Sequence, residues 1–322
     1  MTIEKYRRPF LFYGLATGIP WLFWFAAAYL SHLSPGDDEY VIVESLSETI
    51  GLSGLLSSPV STAIAFLMIA GLFSPMIIAF SMMAASPDLR NDLLKRIFIF
   101  KTVSPFYLFM TGCLMLASIL LAQTISLLFG HSTSQFALSG QFSFSAGLLP
   151  AWFLLFLAPV AEELAWHSYG TDCLRKRYSL FATCIIFAVF WALWHFPLSF
   201  IKDYYHSNLI EASWIYSLNF SLSLIPYVIL MNWLYYKTGR NIMVAMVFHL
   251  TAGFFNEIFA THPDSKVIQT LLLLALSIFL ILKNPDFFFN KKSTKKTMLK
   301  SIRISGYWKQ TARHVQFNQA AH

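Results

Sequence analysis

The sequence predicts an all-α protein: a polytopic membrane bundle of about eight transmembrane helices with both termini in the cytoplasm. Three observations carry that prediction. The 322 residues are 57% hydrophobic and 12% charged, whereas a soluble domain carries about 25% charged residues. The apolar residues come in blocks long enough to cross a hydrocarbon core of about 30 Å as helices. The basic residues gather on alternate loops between those blocks.

The blocks cover 9–32, 60–86, 103–127, 148–169, 180–200, 214–236, 241–260 and 265–283. The first follows the basic start "MTIEKYRRPF" and is too long and too aromatic for a cleavable signal peptide. The third, "YLFMTGCLMLASILLAQTISLLF", and the eighth, "VIQTLLLLALSIFLIL", are uninterrupted, whereas the fourth, fifth and seventh carry ionisable residues. The loops fix the count. The first loop holds Asp37, Asp38, Glu39, Glu44 and Glu48 with no Lys or Arg; the second holds Arg90, Lys95, Arg96 and Lys101. Continuing in this way, 21 of the 23 Lys and Arg fall on one side, with Lys202 and Lys266 the exceptions. Such alternation is the positive-inside pattern, and it places a multi-pass protein in the cell membrane. Within the second loop, "DLRNDLLKRIFIF" is expected to lie on the inner surface with basic and apolar residues on two faces.

The formal charge of +7 does not indicate nucleic-acid binding, because no binding motif accompanies it. The basic tail, 284–322, is expected to rest on anionic lipid. Cys113, Cys173 and Cys184 have no paired spacing and read as small apolar fillers.

Only Glu162, Glu163 and Glu257 are acids within the blocks, joined by His167, His195 and His249. Charge at bilayer depth costs a few kcal/mol or more, so such groups face a cavity or one another. Glu163 and His167 are i, i+4 neighbours; Glu162 points about 100° away. One acid can therefore be held by His167 while the other faces a cleft. Counting about 1.5 Å per residue from the span ends lets Glu162, Glu163, His195 and His249 meet in the inner half of the membrane, in a hollow open to the cytosol. Trp191 precedes His195 by one turn, and Asn256 and Glu257 follow His249 near its face. A carboxylate in a low-dielectric pocket is a stronger base. A histidine beside it can hold water, and a second can donate to an oxyanion. The same set, Glu162, His195 and His249, can alternatively hold a divalent metal such as zinc, although no HExxH is present. Glu257 reads as an outer helix-end residue, and His131 and His206 as loop residues without a role.

"EELAWHSYG", "FWALWHFPL" and "VFHLTAG" resemble, in order and spacing, the EExxxR, FxxxH and HxxxN/D motifs of the CAAX-processing and bacteriocin-processing intramembrane proteases, the CPBP or Abi family. The resemblance spans about 150–260, roughly a third of the chain. It implies that Glu162 is the water-activating base, Glu163 its supporting acid, His195 a water-holding group and His249 the oxyanion donor. Within the family both metal-dependent and metal-free readings exist, and the metal-free one is preferred here, with no cofactor. Three positions depart from the pattern: His167 stands for the arginine, Trp191 for the phenylalanine and Gly253 for the asparagine, with Asn256 as a substitute donor. The chain then divides into helices one to three (1–147), a CAAX-protease-like catalytic core of helices four to seven (148–260), a last span (261–283) and the tail (284–322). The function implied is an endopeptidase cutting prenylated or membrane-associated proteins. The alternative is an impaired family member acting as an immunity or scaffold protein, and a third reading is a proton-relay transporter.

Overall fold

Each apolar block of the sequence becomes a helix. The computed structural model describes residues 5–33, 59–97, 103–139 and 151–291. The acidic stretch Asp37–Glu48 and the basic tail beyond Lys291 lie outside the described residues. The helices are α1 (Pro9–Leu33), α2 (Pro59–Ala84), α3 (Pro87–Ile97), α4 (Pro105–Ser126), α5 (Ala151–Ala165), α6 (Thr171–Arg175), α7 (Leu180–His195), α8 (Tyr205–Ala212), α9 (Trp214–Lys237), α10 (Ile242–Ile258), α11 (Pro263–Lys283) and α12 (Pro285–Phe289). A single π-turn, Trp166–Gly170, joins α5 to α6. Several of these helices start on proline, whose fixed φ suits the first turn and whose missing N–H costs nothing there. Others are capped by side chains: Ser179 accepts from the Ala182 N–H ahead of α7, and Asn241 from Met243 and Val244 ahead of α10.

Among the described residues, six helices are long and apolar enough to cross a membrane: α1, α2, α4, α7 with its extension to Phe200, α9 and α11. α10 is apolar but shorter. Among the described residues there is no strand, only an isolated bridge between Leu138 and Phe259. The cysteines are free. α1 lies along α2, where a Cβ at Gly71 would fall 2.1 Å from Trp24 Nε1, so only glycine admits that indole. α10 packs on α4 and α5, and α9 on α7 and α11.

One end of the bundle is tied by buried charges. Asp92 and Arg96 come from α3, Asp172 from α6 and Arg240 from the α9–α10 turn, each 5% exposed or less. Arg96 meets Asp92 at 2.9 Å and Asp172 at 3.1 Å; Arg240 meets Asp92 at 2.9 Å and also pairs with Asp172. The Tyr6 hydroxyl donates to Asp92 (2.7 Å), and the hydroxyls of Tyr235 (3.1 Å) and Tyr236 (3.0 Å) donate to Asp172. Two cations thus face two anions, with phenols meeting the remaining lone pairs, as buried charges require. Burial alone would raise the Asp172 carboxyl, but Arg240 and Arg96 outweigh it and hold the group below its ordinary value. Arg240 has φ 68°, a left-handed conformation costing about 1–3 kcal/mol in a non-glycine residue. Its two carboxylate partners offset that strain.

α3 has an exposed and a buried face, but the network puts charge on the buried one. Leu89, Asp92 and Arg96 form its buried face at i, i+3 and i+7. Asp92 and Arg96 turn into the protein because their counter-ions are there, whereas Asp88, Arg90 and Lys95 stay exposed.

Candidate active site

Glu162 and Glu163 sit in the last turn of α5, just before the π-turn. Pro159 inside α5 lacks the N–H that would bond the Leu155 carbonyl. The π-turn then leaves two carbonyls to be met from outside the helix. Arg96 donates to His167 O at 2.9 Å and to Ser168 O at 2.8 Å. Gly170 closes the turn, where a Cβ would lie 2.6 Å from the Phe12 ring. The charge network therefore grips the turn that aims both glutamates.

The two acids have different surroundings. Glu163 is fully buried and accepts from two imidazoles, His167 Nδ1 and, at 2.9 Å, His249 Nδ1. His167 Nε2 has no partner. A bare nitrogen is far cheaper to bury than an unpaired N–H of an imidazolium, so the neutral tautomer with hydrogen on Nδ1 fits. Glu162 accepts from Trp191 Nε1 at 3.0 Å and from Trp166 Nε1 at 3.5 Å, both on Oε2. Oε1 is left for solvent.

His195 Nδ1 meets the Trp191 carbonyl at 2.8 Å. A carbonyl only accepts, so Nδ1 carries the hydrogen and Nε2 keeps its lone pair. Trp191 thus orients both its neighbours, donating through its indole to Glu162 and accepting through its backbone from His195. The phenylalanine of the family pattern would supply only the aromatic wall. The ring of Trp191 also stands 5.2 Å from that of His249, edge to face.

Glu162, His195 and His249 line one cavity of about 300 Å³, together with Gly253, Asn256 and Glu257. The sequence-derived set is therefore brought together. Asn256 spends one amide hydrogen on Ala252 O, in its own helix, at 2.9 Å. Gly253 has room beside it, since a Cβ would meet only Leu155 Cδ2, at 3.7 Å. Glu257, expected at a helix end, is 5% exposed and faces the cavity.

The lining of the cavity comes from the second half of α1, the middle of α2 and of α4, both halves of α5, the end of α7, the first halves of α9 and α11 and the second half of α10.

Several contributors were not anticipated. His206 on α8 is 4% exposed and stacks on His195 at 5.3 Å. Trp166 donates to Glu162, and the network residues Arg96, Asp172 and Arg240 stand behind the site. Asp172, an acid followed closely by Arg175, Lys176 and Arg177, was the one local signal.

The donors do not fit a metal as they stand. Among the described residues, the only trio of His, Cys, Asp or Glu ligand atoms lying within 4.8 Å of one another is His131, His262 and Asp264. The atoms of Glu162, His195 and His249 are more widely spread, whereas zinc holds its ligands about 2.0–2.3 Å from itself. Glu162 Oε2 is moreover taken by two indoles.

A carboxylate and two imidazoles lining one cavity, one of the imidazoles fixed by a buried acid, all deep in an apolar helical bundle, define a membrane-embedded hydrolase. The family model for type II CAAX prenyl endopeptidases, Rce1-like, matches residues 144–255, a range that includes the candidate residues Glu162, Glu163, His195 and His249. Over 292 residues, 90% of this chain and 99% of the relative, the sequence is 35% identical to CAAX prenyl protease 2 of Methanococcus maripaludis. The chain belongs to the CAAX prenyl protease family and is an integral membrane endopeptidase.

Proposed function

We propose that the protein cuts a peptide bond near the C-terminus of a prenylated, membrane-associated protein, with a water activated by Glu162 and without a metal. The observation that carries this reading is that Glu162 and His195 line one cavity, each with an acceptor left over, Oε1 and Nε2. A water between them gives each a hydrogen bond and turns its own lone pair toward the substrate. As its oxygen attacks the carbonyl carbon, Glu162 takes the proton. The carbonyl oxygen gains charge and receives a hydrogen bond from His249 Nε2. Because His249 Nδ1–H is already given to Glu163, this second donor requires the imidazolium, and Glu163 is the anion that balances it. Glu162 then returns its proton to the leaving amine.

The test is hydrolysis by purified protein of a quenched C-terminal peptide, farnesylated or bare, with and without chelator. Cleavage of the farnesylated peptide at the same rate in chelator is expected. Chelator-sensitive turnover restored by zinc would reject the metal-free route, and equal cleavage of the bare peptide would reject the prenylated substrate.

The basic end is proposed to be cytoplasmic, with the described N-terminal helix entering from that side and the tail on anionic lipid. In intact cells, a thiol at Arg177→Cys is expected to be shielded from an impermeant reagent, while one at the exposed Phe129→Cys reacts. The reverse labelling would overturn the charge-based orientation.

A further inference from the structure

The cavity has two unlike walls. Toward α1, α2 and α4 it is apolar, with Trp24, Met68, Leu72 and Met115. Toward α8, α10 and α11 it is polar, and two features of that wall have no part in the mechanism above. Neither ring nitrogen of His206 has a partner, although the side chain lines the cavity and is nearly enclosed. A neutral imidazole offers one donor and one acceptor, which is what a peptide group needs from its surroundings. The second feature is Lys266, in the first turn of α11. It is the one Lys or Arg among the described residues that line the cavity. Its ammonium lies 5.6 Å from the centre of the Tyr205 ring, and Glu257 lines the same cavity.

These groups form a track. His206 stacks on His195, and Tyr205, its neighbour in sequence, contacts Lys266. The length of the track follows from α10. Glu257, on the same cavity wall as Lys266, stands eight residues beyond His249, or about 12 Å at 1.5 Å per residue. An extended peptide covers about 3.3–3.6 Å per residue, so three residues span about 10–11 Å. A tail of the C-a-a-X type carries three residues beyond its lipidated cysteine.

Resting on the proposed substrate, we propose that Lys266 binds the free C-terminal carboxylate of that tail while His206 holds a peptide group on the way. The enzyme then measures the distance from the scissile bond to the chain end. An ammonium has three donors to share. The incoming carboxylate competes with Glu257 for them.

The experiment compares farnesylated peptides ending in a carboxylate, in an amide, or in a carboxylate one residue further on. Wild-type enzyme is expected to prefer the normal acid over the amide by about 10- to 100-fold in kcat/KM, the range of a hydrogen bond to a charged group, carried in KM. Lys266→Met should bring the acid down to the amide level and leave amide cleavage unchanged. Lys266→Arg should keep the preference, and Glu257→Gln should lower KM for the acid. Equal cleavage of acid and amide by wild type, or a preference that survives in Lys266→Met, overturns the anchor while leaving the proposed function intact. Failure of wild type to cut any farnesylated peptide overturns the substrate reading and the anchor with it.

Discussion

Glu162→Gln is expected to lower turnover by about 10²–10⁴-fold, the usual contribution of a positioned general base. The substitution is a narrow one. The amide oxygen of glutamine can still accept from Trp191 and Trp166, which meet one oxygen of Glu162 at 3.0 and 3.5 Å. The fold and the cavity wall are therefore retained, and only proton acceptance is lost. KM should change little, because Glu162 acts on water rather than on the peptide. Single-turnover hydrolysis of a farnesylated peptide, with melting temperature as the control, measures both. Turnover within tenfold of wild type would remove Glu162 from the role of base. Glu163→Gln makes a contrasting case. Its carboxylate is closed off between His167 and His249, so its loss is expected to act through the orientation and charge of His249.

Asp172→Asn is expected to destabilise the protein by about 3–5 kcal/mol, the range for breaking a buried ion pair from one side. The asparagine keeps the shape but leaves Arg96 and Arg240 with a single anion, Asp92, in a site with almost no solvent. Thermal unfolding in detergent reads the loss directly, and an unchanged melting temperature would show that the network contributes nothing. The pH dependence has a definite sign. Asp172 is held below its ordinary value when folded, so its contribution is fully present above the unfolded value of about 3.9 and is lost as pH falls through the lowered folded one. The variant should therefore show a flatter acid limb than wild type.

Much of this arrangement was readable in the residues. Apolar blocks gave the helices, because in hydrocarbon a single strand of chain has no other way to meet its own backbone. The i, i+4 spacing gave the Glu163–His167 bond, and the rarity of charge at depth singled out the acids and imidazoles that line the cavity. What escaped depends on contacts between distant segments. Arg96 reaches the His167 carbonyl across 71 residues, and no periodicity in α3 distinguishes a buried arginine from a surface one. Trp191 passed for wall because hydropathy weighs its ring and not its N–H. His206 passed for loop because its short helix, α8, has no apolar run to announce it.

The π-turn has a consequence for the whole helix it interrupts. Five residues per turn-closing bond instead of four insert one residue, and one residue is about 100° of azimuth. Upstream, Glu162 looks into the cavity; downstream, Asp172 looks toward Arg240. The turn behaves as a crankshaft that keeps the reactive throw and the anchoring throw out of phase. Shortening it by one residue would turn one of them toward lipid, whatever side chains it carried.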